Sequence, residues 1–472
     1  MTTTATGAPV RAAFTEIDIS ESLIRRFDVS GPRYTSYPTA DRFHTHYDAT
    51  RYRHHLAQRL AAETVAPLSV YVHLPFCHSL CYFCACNKII TQDHSRSLQY
   101  MDYLDRELAL LDPELGDARV ARQLHLGGGT PTFGDDEGLA GLMRLLKRHF
   151  EFTDDAELSI EIDPRTIDDG RLGALAAMGF NRTSFGVQDF DPDVQRAVNR
   201  IQPLEMVEAA LASSRRHGFG SINMDLIYGL PLQTLASFDR TLDHVVRLMP
   251  DRIALYNYAH LPSRFKAQRL IRDEDLPSAE TRLQIFLMAM RRLLDAGYVY
   301  IGLDHFALPD DELSRAGMDG SLHRNFQGYT TRADCDMVGL GLSSIGKLEY
   351  AYSQAAHSLK AWYEMLDLGQ LPIAKGYELS DDDRLRREII MRIMCSMPLD
   401  LPGMAEKYGL AFPDCFASEL ERLQVYQDAG LLELDDGILH ITPKGRLFVR
   451  AIGMVFDAHL GRPTTSTYSR LI

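Results

Sequence analysis

The sequence predicts an α/β protein: a partial, open (β/α)6-type barrel preceded by an arm and followed by a small, mostly helical, winged-helix-like domain. Three observations carry this. From about residue 68, short apolar runs rich in β-branched residues alternate with stretches of helical period, the mark of βα units. Polar or glycine-rich residues collect just after those runs, as they do at the carboxyl ends of parallel strands. Beyond about residue 376 the pattern changes to helical stretches and one hairpin.

The first 60 or so residues read as an irregular arm, because Gly31-Pro32-Arg33-Tyr34-Thr35-Ser36-Tyr37-Pro38 punctuates them and no apolar period persists. An arm of this kind is expected to wrap over something, and a lid is one such role. Residues 61–375 are read as the barrel, with strands at Leu68–Leu74, Arg122–Leu126, Leu158–Ile162, Arg182–Val187, Ile222–Ile227 and Ile253–Tyr258 as a minimum set. Amphipathic helices are expected at Leu98–Leu111, Leu172–Met178 and Leu204–His217, the last two closed by Gly179 and Gly218. Residues 376–472 form the third domain, with helices at Asp382–Met397 and Phe416–Ala429 and a hairpin across Leu431–Ile441. Winged-helix folds often bind DNA, but this run carries Asp381 to Asp383 and Asp435 to Asp436 and no basic stripe, so a cap or docking module is expected.

A chain of 472 residues that is 45% hydrophobic can bury a sizeable core. Its net charge of -14 argues against nucleic acid or an anionic membrane as partner. No run approaches the roughly 20 apolar residues of a membrane helix, and no export leader is recognisable, so a cytoplasmic protein, acting as a monomer, is expected. Four of the seven cysteines fall between Cys77 and Cys86, which reads as a metal site in a reducing compartment rather than a disulfide framework.

The string is His73-Leu74-Pro75-Phe76-Cys77-His78-Ser79-Leu80-Cys81-Tyr82-Phe83-Cys84-Ala85-Cys86-Asn87-Lys88. Thiolates at Cys77, Cys81 and Cys84, spaced C-x3-C-x2-C, can reach three irons of one 4Fe-4S cubane and leave the fourth open to a small chelating ligand. Zinc on these thiolates with His73 or His78 is the alternative. Structural zinc usually draws on two separated ligand pairs, and no second CxxC or paired HxxxH lies nearby in the sequence. One unit later comes Gly127-Gly128-Gly129-Thr130-Pro131, with no P-loop lysine after it.

The two motifs in this order resemble the radical S-adenosylmethionine superfamily. Gly31 to Pro38, Tyr71 to Lys88, Leu126 to Phe133, Ser159 to Arg165, Phe185 to Phe190, Val198 to Arg200, Asp225 to Pro231 and Asn257 to Pro262 resemble, more narrowly, oxygen-independent coproporphyrinogen III oxidase. That resemblance implies a 4Fe-4S cluster, two S-adenosylmethionine molecules and a reduced electron-donor protein. The implied reaction turns the ring A and B propionates of coproporphyrinogen III into vinyl groups, giving protoporphyrinogen IX, through a 5'-deoxyadenosyl radical. It also implies cofactor contacts at Tyr71, Phe83, Gly128, Gly129, Thr130, Glu161, Gln188, Arg200, Asp225, Ala259 and Ile345. His305 and the stretch His323 to Thr331 resemble the family's substrate side, and Arg33, Lys88, Arg165 and Arg324 are candidate partners for substrate carboxylates. Ala85 departs from the glycine usual between the third and fourth cysteines. A related branch comprises haem chaperones, but these have a non-cysteine residue where this chain has Cys86. A radical enzyme with another substrate would share the cysteines and the glycine loop.

Overall fold

The computed structural model of the chain describes residues 21–461, so residues 1–20 of the expected arm and 462–472 of the C-terminal domain lie outside the described residues. The chain divides into two compact units, one of residues 43–293 and 334–378, the other of the described parts of 1–42, 294–333 and 379–472.

The first unit holds six parallel strands in chain order: β1 (Leu68–Leu74), β2 (Val120–Gly128), β3 (Glu151–Ile162), β4 (Arg182–Gln188), β5 (Ser221–Tyr228) and β6 (Arg252–Asn257). Each predicted strand is present. The runs were legible because one face of each strand is apolar and buried, with Val70, Val72, Leu124, Leu126, Ile160, Ile222, Leu226 and Ile253 fully so, recurring at every second position. Between consecutive strands lie α1 (Ser95–Leu115), α2 (Asp136–His149), α3 (Asp169–Met178), α4 (Leu204–Arg216) and α5 (Leu235–Leu248). Side chains at the starts of three helices accept backbone N–H bonds, Asp135 for α2, Asp168 for α3 and Thr234 for α5. Gly179 ends α3 at φ +104°, the left-handed conformation expected of a closing glycine.

On the other side of β1 the sheet continues with β7 (Asp336–Leu340), parallel to β1, and then β8 (Ile345–Leu348), β9 (Ala351–Ala355) and β10 (Ile373–Glu378), all antiparallel. The order in this unit is β10-β9-β8-β7-β1-β2-β3-β4-β5-β6.

In the second unit the C-terminal part contains helices Asp381–Met394, Leu401–Lys407, Ala417–Asp428 and Val449–Met454, with Ile438–Ile441 pairing antiparallel to both Leu399–Asp400 and Leu432–Asp435. This helical, hairpin-bearing domain matches the sequence reading. The acidic run there has a structural use: Asp381, Asp382 and Asp383 form the first turn of a helix, where negative charge opposes the macrodipole, and Asp383 closes a capping box with Ser380.

The irregular reading of the arm needs correction. Ala49–Leu60 is a helix whose first N–H groups are accepted by Asp48. Its buried face is Tyr52, His55, Leu56 and Arg59, too polar to give an apolar period. Glu21–Phe27 is also helical. The Gly31 to Pro38 motif is tied down within its own unit. Arg450 donates to the carbonyls of Gly31 and Pro32, Tyr34 donates to Asp457 at 2.9 Å, and the Tyr37 hydroxyl accepts from Ala458 N at 3.0 Å.

Candidate functional site

The site begins where β1 ends. Phe76–Cys77 pairs with Ile89–Ile90, so the cysteine loop closes at its neck, with Ile89 N donating to Pro75 O at 2.7 Å and Thr91 N to Cys77 O at 3.0 Å. The end of β2 lies on that neck: Gly129 N donates to Leu74 O and Thr130 N to Phe76 O, both at 2.8 Å. The glycines are needed here. A Cβ on Gly129 would stand 2.6 Å from the Pro75 carbonyl carbon, and Gly128 adopts φ +114° with no room beside the His73 ring.

Cys77, Cys81 and Cys84 line a cavity of about 490 Å³, whose other walls are Gly128 to Thr130, the β3 end with Glu161, Asp163 and Arg165, and residues of β4, β5 and β6. β4 alternates half-exposed Ser184, Gly186 and Gln188 with buried Thr183, Phe185 and Val187, so one strand face meets the cavity and the other the core. Gln188 sits at φ +71°, turning the chain at the strand's end.

The three thiols have different surroundings. Burial pushes the Cys77 thiol up to about 11, against a Thr130 hydroxyl that donates to its sulfur at 3.5 Å. Cys84 is lowered to about 6, first by its hydrogen bond with Cys86, whose own thiol is raised, and then by Lys88. Cys81 receives guanidinium N–H groups from Arg165 at 3.6 Å and Arg200 at 3.5 Å.

The opposite wall carries carboxylates. Burial opposes ionisation of Glu161, but its hydrogen bonds from His125 and from Gly128 N at 3.0 Å prevail and hold it below the usual range. Asp163 is likewise held low against burial by Arg200 and Arg165. Among the described residues the hydrogen-bond partners of Asp225 are the neutral Asn223 and Ser184. Burial, then the Glu161 charge, raises Asp225 to about 6, despite these hydrogen bonds.

Of the residues singled out in the sequence, the three cysteines, Phe83, Gly128, Gly129, Thr130, Glu161, Gln188, Arg200 and Asp225 line the cavity, as do Lys88 and Arg165. Tyr71, Ala259 and Ile345 are not among its lining. Tyr71 reaches His73 Nδ1 at 3.1 Å and stacks on His125, while Ile345 heads β8 opposite Gln354. The Ala259 carbonyl accepts from Gln268 Nε2 at 3.1 Å, and the same amide donates to Phe83 O at 3.0 Å, so Ala259 stands one side chain behind the wall. In the second unit, Arg33 pairs with Asp304, and the Arg324 guanidinium lies over the Tyr329 ring at 4.9 Å. Sequence reasoning missed Ser184 and Tyr256, although strand parity with Gly186 and Gln188 would have found the first.

Among the described residues no three His, Cys, Asp or Glu side chains converge on a point as the ligands of a single ion would. Three thiols on one cavity wall fit a cubane, which takes each thiolate on a separate iron, better than tetrahedral zinc.

A parallel α/β sheet with three cysteines in a loop after its first strand, facing a glycine turn after its second, defines a radical S-adenosylmethionine protein. The radical SAM superfamily model matches residues 71–245, and the HemN C-terminal domain model matches residues 379–448. The chain belongs to the oxygen-independent coproporphyrinogen III oxidase family. It is 47% identical over 452 residues to the protein of that name from Pseudomonas aeruginosa (95% of this chain, 98% of that one). It is 45% identical over 458 residues to the one from Escherichia coli (97% and 99%). The solved structure of the Escherichia coli coproporphyrinogen III oxidase HemN, described as a radical SAM enzyme, superimposes with a TM-score of 0.89 at 45% identity, covering 94% of this chain and all of that one.

Proposed function

We propose that this chain is an oxidoreductase that converts the ring A and B propionates of coproporphyrinogen III to vinyl groups, yielding protoporphyrinogen IX without oxygen in porphyrin and haem biosynthesis. The observation that carries the reading is the cavity itself. Three thiols, a glycine turn and an arginine–carboxylate wall share it, in a chain collinear with oxidases of that name. The cluster and S-adenosylmethionine, when bound, supply the one-electron chemistry that takes a hydrogen atom from the propionate β-carbon, after which carbon dioxide and one electron leave.

The chain's own residues bind and aim. Cys77, Cys81 and Cys84 would hold the cluster by three of its four irons. Gly128 and Gly129 allow close approach and offer carbonyls to the cofactor's amino group, with Thr130 closing the turn. Arg200 pairs with its carboxylate, and Glu161 and Asp225 accept from ribose hydroxyls or the amino group. Phe83, Gln188, Tyr71, Ala259 and Ile345 would complete the contacts to two S-adenosylmethionine molecules. Lys88, at the cavity, serves a substrate carboxylate. The protein works in the cytoplasm as a monomer and takes its electron from a reduced donor protein. Among the described residues no helix is long and apolar enough to cross a membrane.

The test is anaerobic turnover of reconstituted protein with coproporphyrinogen III, S-adenosylmethionine, reductant and an electron acceptor. Protoporphyrinogen IX and 5'-deoxyadenosine should both form. Deoxyadenosine without the porphyrin product would overturn the substrate; neither product from protein with a full cluster would favour a haem-binding role.

A further inference from the structure

Arg165 is a candidate for gripping a substrate carboxylate, yet its Nε and Nη2 are already engaged. Nε donates to both oxygens of Asp163, at 3.0 and 3.2 Å, and Nη2 donates to Asp163 Oδ2 at 2.7 Å. That is the two-pronged fork by which arginine would take a substrate carboxylate, used here on a residue two positions away. Asp163 also fixes the backbone, accepting Arg165 N at 3.0 Å in the turn Pro164–Thr166 after β3, so the pair moves as one piece. The same Nη2 lies 3.6 Å from Cys81 Sγ.

The charge balance around that sulfur differs from that of its two neighbours. Asp163 Oδ2 also accepts from Arg200 Nη1 at 3.1 Å, and Arg200 Nη1 in turn lies 3.5 Å from Cys81 Sγ. One buried carboxylate set against two guanidinium groups leaves a net positive charge beside a thiolate. Among the described residues Cys77 has a neutral hydroxyl at its sulfur, and Cys84 has the single Lys88 ammonium, which donates to its carbonyl at 2.9 Å and lowers its thiol, but no guanidinium. N–H bonds and positive charge at a ligand sulfur favour the reduced, more negative state of a cluster over the oxidised state and raise its reduction potential.

We propose that Arg165, braced by Asp163, is a positioning residue that sets the reduction potential of the cluster through the Cys81 sulfur. This rests on the cluster assignment above. Both arginines touch the Cys81 sulfur; Arg200 is also tied to the Gly186 carbonyl, whereas among the described residues Arg165 is held by Asp163 alone.

The test compares parent holoenzyme with Arg165→Gln and Arg165→Met, each reconstituted anaerobically and counted for iron. The midpoint potential is measured by redox titration, with electron paramagnetic resonance as readout and no S-adenosylmethionine present. Both variants should keep the parent's iron content, show a more negative midpoint, and turn over with lower kcat at unchanged KM for coproporphyrinogen. An unmoved midpoint at full iron overturns the proposal, and a raised KM beside it returns Arg165 to substrate binding. Failure of both variants to hold iron also overturns it, in favour of a role in cluster assembly. Parent protein that takes up no cluster would instead overturn the cluster assignment itself.

Discussion

The two halves of the main sheet share a fold but not a role. Strands β1 to β6 run parallel, and every cavity-lining residue comes from the loop after β1, from β2 to β6 themselves or from the connections that follow β2, β3 and β4. Strands β8 to β10 are antiparallel and contribute none of the lining. Parallel strands deliver all their carboxyl ends to one edge, so chemistry on successive turns converges. Antiparallel strands send alternate ends to opposite edges. Strand polarity, more than depth within the sheet, decides which residues can act together.

The largest expected effect lies in the parallel half. Cys77→Ser should lose the cluster and with it all porphyrin product, read as iron content and anaerobic turnover. Retention of a full cluster would mean that Cys86 can replace a ligand. Next is Gly129→Ala, whose methyl group would meet the backbone of Pro75 and Phe76. Overpacking of this kind costs about 1–3 kcal/mol, and urea unfolding should show that loss together with a poorly assembled cluster.

Asp225 gives a pH test of the same half. Its pKa is raised from 3.8 to about 6 on folding, chiefly by burial. The folded chain then keeps a proton that the unfolded chain releases, so stability falls as pH rises from about 4 to 6 and stays lower above. Asp225→Asn removes that liability. After discounting for partial exposure it should stabilise the protein by about 2 kcal/mol at pH 7.5 and by almost nothing at pH 3.5. The ionised carboxylate is also the proposed acceptor, so parent affinity for S-adenosylmethionine should weaken below about pH 6, a dependence the asparagine variant should lack. Equal stability of the two proteins at pH 7.5 would show that Asp225 is well solvated.

Legibility followed the same division. The six parallel strands were readable because one buried face repeats an apolar residue at every second position, and the cysteines and glycines because their spacing has few other uses. β8 was not readable: Ile345–Leu348 is four residues containing a glycine and a lysine, too short and mixed to show a period. The helix Ala49–Leu60 was hidden by its arginines and histidines, with only the capping Asp48 as a local signal. Ser184 and Tyr256 are ordinary strand residues until the strands are aligned, and the grip of Arg165 on Cys81 joins positions 84 apart. Resemblance named Ala259 and Ile345, which local pattern could neither support nor oppose.

Ile345 therefore gives the smallest and most discriminating expectation. Its backbone matters to the sheet, since a Cβ on Gly339 would stand 2.6 Å from the Ile345 oxygen, and Gly339 is in register with Tyr71 of β1. Its side chain is only half-buried at the head of β8. Ile345→Val keeps the β-branch and the pairing with Gln354, and an Ile to Val change costs about 0.5–1.5 kcal/mol even in a full core, so here the low end is expected. If the antiparallel half contributes only framework, kcat/KM for S-adenosylmethionine should change by less than about threefold, under 1 kcal/mol of transition-state energy. A larger loss without loss of stability would place the Ile345 side chain against the cofactor and break the division between the two halves of the sheet.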